Sequence, residues 1–134
     1  MNRHVQKSYN WAYGAVKGSA RMLPFLVRDV QRKPLREAGK HIREFERRLH
    51  FAVDEFRTLE AHLDAPLFGG AAMGVEEACG LLLEAVAESE AGRENDGRSK
   101  IRLAASKLSR VTMLLDAQSP IPFKLWFLNP WRYY

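Results

Sequence analysis

Four histidines, one cysteine and sixteen carboxylates are the groups from which this chain could build an active site or a metal centre. A catalytic or structural zinc site needs three or four ligands held at short spacings. His4, His41, His50 and His62 are scattered, and no two of them have HxxxH or HExxH spacing. His50 and Asp54 are one helical turn apart, but two ligands do not complete a site, so neither a metal nor a cofactor is expected. Cys79 has no CxxC partner and falls on the apolar side of its segment, where a thiol serves as a small core residue. Glu76 and Glu77 are adjacent, so on a helix they diverge by about 100° and do not form an acid/base pair. Gly69, Gly70 and Gly74 lack the Lys-Ser/Thr that completes a phosphate loop. The sequence therefore predicts no catalytic residue, no small-molecule substrate and no enzyme.

Two Arg–His spacings, Arg43 to His50 and Arg57 to His62, resemble those of small helical ribonucleases of the HEPN type. The resemblance implies an RNA-cleaving helical fold, but it covers at most eight residues. Glu44 and Thr58 also depart from that family's pattern after the arginine. It does not assign an activity.

The elements that would position any site are helical. Val5, Tyr9, Ala12, Val16, Ala20, Leu23, Val27 and Val30 step by three or four residues, which predicts a first helix over 5–30 with a kink or break near Pro24. Leu35, Ala38, Ile42, Phe45, Leu49, Ala52, Phe56, Leu59 and Leu63 sustain a seven-residue repeat for four heptads. Lys33-Pro34 opens this second helix, and Pro66 closes it by biasing Ala65 away from helix. Gly69-Gly70 reads as the loop before a third helix, whose apolar side is Val75, Ala78, Cys79, Leu82, Leu83 and Val86 and which stops at Gly92. Gly92–Gly97 reads as a polar turn, and a fourth helix spans 99–117 through Ile101, Ala104, Leu108, Val111, Leu114 and Leu115. Four amphipathic helices with short turns predict an all-α antiparallel four-helix bundle over 1–118. Residues 119–134 follow as an extended aromatic tail in which Pro120, Pro122 and Pro130 forbid a long helix.

The net charge of +5 is unevenly spread. Residues 1–57 and 98–134 are basic, whereas residues 58–97 carry Arg93 against nine acids. Arg36, Lys40, Arg43, Arg47 and His50 form one outward stripe about 20 Å long on the second helix. Arg28, Arg32 and Lys33 stand near its start, and Lys100, Lys107 and Arg110 come from the fourth helix. Rows of cations suit a phosphate backbone, because each contact releases counterions. The alternative is that the acidic third helix lies between the two basic ones and neutralises them internally.

No helix-turn-helix, zinc finger or ribonucleoprotein motif accompanies these cations, so RNA or DNA would be held by its backbone without base reading. The tail offers Phe123, Trp126, Phe127, Trp131, Tyr133 and Tyr134 as anchors for a protein partner, or as a cap folded back on the core. In fold and charge the chain resembles the small helical subunits of RNA-guided effector complexes and the accessory bundles of reverse transcriptases. That implies a non-enzymatic nucleoprotein subunit. The rival expectation is a protein–protein adaptor or homo-oligomeric bundle with no nucleic-acid role. The lone cysteine and the lack of a signal-like or 20-residue apolar run point to a cytoplasmic protein without membrane partners.

Overall fold

The computed structural model describes residues 3–29 and 33–124. Four helices follow one another: α1 (Arg3–Asp29), α2 (Gly39–Leu63), α3 (Pro66–Glu90) and α4 (Glu94–Gln118), with a 3-10 turn over Leu35–Ala38 before α2. Each helix packs on its chain neighbours, and α4 closes the bundle against α1, so α1 and α3 occupy opposite corners. The antiparallel order is visible in the ion pairs. Arg43 meets Glu90 while Arg57 meets Glu76, and Lys100 meets Glu84 while Lys107 meets Glu77.

The apolar repeats supply one core. The seam predicted for the second helix begins in the 3-10 turn, with Leu35 and Ala38, because α2 starts only at Gly39 and not at Pro34. All of it is buried except Phe45 and Leu63, which are half-buried against it. Phe56 stacks on Phe68 with ring centroids 6.3 Å apart, and Tyr9 meets Phe68 edge-on at 6.0 Å. These contacts join α1, α2 and α3 at one level.

Pro24 does not break α1. The helix runs through it to Asp29, because Leu23 and Val27 on either side are buried and hold the register. Pro24 itself is exposed, so the missing N–H costs one hydrogen bond at the surface.

α3 begins at Pro66, not after Gly69-Gly70. Two helical glycines cost about 1 kcal/mol each relative to alanine. Burying the Phe68 ring is worth about 1.5–3 kcal/mol, and Ala71 and Ala72 are buried beside it, so burial wins. The α2–α3 turn is made by Asp64 in the left-handed region (φ 50°), whose N–H bonds the Glu60 carbonyl.

α4 likewise starts earlier than its apolar pattern, at Glu94. Gly92 (φ 83°) ends α3 in a Schellman arrangement, with Arg93 N–H on Glu88 O and Gly92 N–H on Ser89 O. Glu94 then accepts the Leu35 N–H at 2.6 Å, and Gly97 is buried where a Cβ would stand 2.7 Å from Leu35 Cδ2. That glycine belongs to a packing contact. Leu83 is exposed, since it lies about 100° round the helix from buried Leu82.

α3 is long and apolar enough to cross a membrane by length and composition. Val75, Ala78, Cys79, Leu82 and Val86 of its apolar side are nevertheless buried in the bundle.

Candidate nucleic-acid interface

α3 carries five glutamates and no Lys or Arg, and each of the five has a cation. Glu76 holds Arg57 at 2.7 Å, Glu77 holds Lys107 at 3.0 Å, and Glu84 holds Lys100 at 3.2 Å. Glu88 accepts the Arg93 guanidinium at 2.7 Å, and Glu90 pairs with Arg43 at 2.8 Å. The Arg93 bond holds the Glu88 carboxyl below its ordinary value. Four of these five cations come from α2 and α4, so the neighbouring helices do neutralise α3 internally.

This changes the reading of the basic stripe on α2. Arg36, Lys40, Arg43, Arg47 and His50 are all exposed, as the heptad predicts. Arg43 is engaged by Glu90, Arg47 lies 3.4 Å from Glu44, and His50 Nε2 lies 3.1 Å from Glu46 Oε1. Acid therefore interrupts the row. Lys100 and Lys107 on α4 are likewise engaged by α3. Lys33, Arg36, Lys40 and Arg110 carry no ion pair among the described residues. Arg28 lies over the Phe25 ring at 4.8 Å, and Arg32 falls outside the described residues.

Five further cations without an ion pair among the described residues lie on α1. This helix contains Arg3, Lys7, Lys17, Arg21 and Arg28 against Asp29 alone. No ion pair joins any of those five cations among the described residues. Lys7, Trp11, Gly14, Gly18, Arg21, Phe25 and Arg28 step by 4, 3, 4, 3, 4 and 3 residues along one outward stripe. The stripe is about 32 Å long. Trp11 is 47% exposed and Phe25 48%, with Met22 beside them. Large half-exposed aromatics between cations are the side chains on which bases stack while phosphates meet the charges. Arg102 stands two heptads before Asp116, which accepts the Tyr13 hydroxyl at 2.6 Å, so Arg102 lies on the α1 side of α4. Sequence reasoning missed this face because it followed the density of arginines on α2. The absence of acids from Arg3 to Arg28 was the available signal.

The beginning of the tail is fixed to the same helix. Ile121 is buried, and Phe123 is half-buried with its ring 4.5 Å from that of Tyr13. Asn10, fully buried, accepts the Lys124 N–H at 3.1 Å and donates to the Lys124 carbonyl at 3.2 Å. Gln6 donates to the Pro122 carbonyl at 2.7 Å. Phe123, expected as a partner anchor, is thus already engaged within its own chain. Trp126, Phe127, Trp131, Tyr133 and Tyr134 fall outside the described residues.

No protein-family model matches the chain, and no curated protein or solved structure matches it either.

Proposed function

We propose that the chain is a non-enzymatic subunit of a nucleoprotein assembly. It binds the phosphate backbone of nucleic acid without sequence specificity, and neighbouring proteins through its C-terminal tail. The observation that carries this reading is the contrast in pairing. Every glutamate of α3 is matched by a cation, whereas Arg3, Lys7, Lys17, Arg21 and Arg28 of α1 have no ion pair among the described residues and share their helix with exposed Trp11 and Phe25. Lys7, Arg21 and Arg28 are the primary contacts in this reading, with Lys33, Arg36, Lys40, Arg102 and Arg110 extending them.

The rival is a protein-only adaptor. Gly14, Gly18 and exposed Met22 on the same stripe favour it, since small residues between aromatics admit a close-packed helix. An acidic helix of a partner would then take the place of the phosphates.

Binding of the pure protein to a labelled single-stranded RNA and a DNA duplex, at about 50 and 200 mM salt, separates the two. Binding that collapses as salt rises is the expected result. No binding at the lower salt transfers the face to the adaptor reading.

A further inference from the structure

Glu46 and His50 project from successive turns of α2, and Cys79 faces them from α3. One ligand atom from each residue falls within 4.8 Å of the other two. His50 Nε2 and Glu46 Oε1 are 3.1 Å apart, and the Cys79 thiol donates to the Glu46 backbone carbonyl at 3.7 Å. We propose that these three residues form a zinc site that cross-links α2 to α3.

The donor set selects the metal. Sulfur, imidazole nitrogen and one carboxylate oxygen suit zinc or cobalt, whereas calcium and magnesium require oxygen ligands. Zinc bonds of about 2.0–2.3 Å place tetrahedral ligands roughly 3.3–3.6 Å apart. The Glu46–His50 separation is already near that value, so only the sulfur has to close on the other two. His50 can follow, because its side chain is 56% exposed, and Glu46 is held in place at 14%.

Charge fits as well. A thiolate and a carboxylate together neutralise the dication, which a half-buried seam between helices tolerates better than a bare charge. The fourth position opens on the His50 side, toward solvent, and takes a water. Deprotonating Cys79 releases one proton to solvent as the metal–sulfur bond forms. The sequence paired His50 with Asp54, the residue one turn ahead. The site lies one turn behind, and its third ligand comes from a different helix.

The test uses the intact, metal-free chain titrated with Co²⁺ and then Zn²⁺. The expected result is one equivalent of Co²⁺ bound, with the near-ultraviolet thiolate-to-cobalt band and the visible bands of tetrahedral cobalt, displaced by one equivalent of Zn²⁺. His50→Ala changes an exposed side chain, so it folds, and it is expected to weaken binding by at least about 100-fold. Cys79→Ala is expected to abolish the thiolate band. Absence of that band in the intact protein overturns the proposal. So does Zn²⁺ binding that His50→Ala and Cys79→Ala both leave unchanged. Nucleic-acid binding by α1 is independent of either result.

Discussion

α1 and α3 stand at opposite corners of the bundle, carry opposite charge, and manage that charge in opposite ways. The five glutamates of α3 each lie against a cation, four of them from the flanking helices and the fifth Arg93 in the turn. No ion pair joins Arg3, Lys7, Lys17, Arg21 or Arg28 among the described residues, and these cations share the surface with half-exposed Trp11 and Phe25. A count of arginines along the chain points to α2 and α4 as the basic faces. Pairing in three dimensions engages Arg43, Arg47, Arg57, Lys100 and Lys107, and leaves the α1 cations, with Lys33, Arg36, Lys40 and Arg110, without an ion pair among the described residues. A cation with no acid beside it keeps its field for an approaching polyanion.

Both corners belong equally to the core, and the largest substitutions test that. Phe68→Ala on α3 is expected to cost about 3–5 kcal/mol, and Leu23→Ala on α1 about 2–5 kcal/mol, in denaturant unfolding. A Leu23→Ala cost below about 1 kcal/mol would mean that α1 is loosely attached, and the comparison of two fixed corners would fail.

A smaller effect separates the corners. Among the described residues, α1 and not α3 hydrogen-bonds the start of the tail, through Gln6 and Asn10. Asn10→Ala leaves the Lys124 backbone without its partner and is expected to cost about 1–3 kcal/mol. It also frees residues 121–124 to proteolysis. Unchanged cleavage there would show that the clasp does not hold in solution.

Glu77→Gln with Glu84→Gln releases Lys107 and Lys100 while changing stability by no more than about 1 kcal/mol per pair, because the carboxylates are exposed. Nucleic-acid affinity is expected to rise, with a steeper salt dependence. An unchanged salt slope would mean that the freed lysines do not reach phosphate.

The least effect concerns pH. Burial, reinforced by Glu46 and Glu76, pushes the Cys79 thiol from its ordinary 9.0 up to about 12. The folded state holds that proton more tightly than the unfolded one. This contribution is therefore complete below pH 9 and is lost as pH rises toward 12. Stability of metal-free Cys79→Ala is expected to fall less over that interval than stability of the parent chain.

The bundle was legible in the sequence because its signal is periodic. The seam from Leu35 in the 3-10 turn to Leu63 at the end of α2 is buried or half-buried at every step. Ends and glycines were harder to read. Gly69 and Gly70 look like loop residues until the neighbouring Phe68 is seen buried in α3, and Gly97 until Leu35 is seen packing against it. The charge pattern was legible only as segregation, since the sequence does not say which cation faces which acid. Cys79 was readable as a core residue, but its approach to Glu46 and His50 depends on how α2 and α3 register against each other.

The most direct test of the account compares two charge reversals in the salt-dependent binding assay. Lys7→Glu with Arg21→Glu removes two unpaired cations from α1, whereas Arg43→Glu with Arg47→Glu removes two that already face acids. The α1 reversal is expected to weaken binding at least about tenfold and to lower the salt slope by roughly one per cation, at unchanged helicity. The α2 reversal is expected to do distinctly less. Equal losses from both, or a larger loss from α2, would contradict the claim that pairing with α3 selects the face that binds.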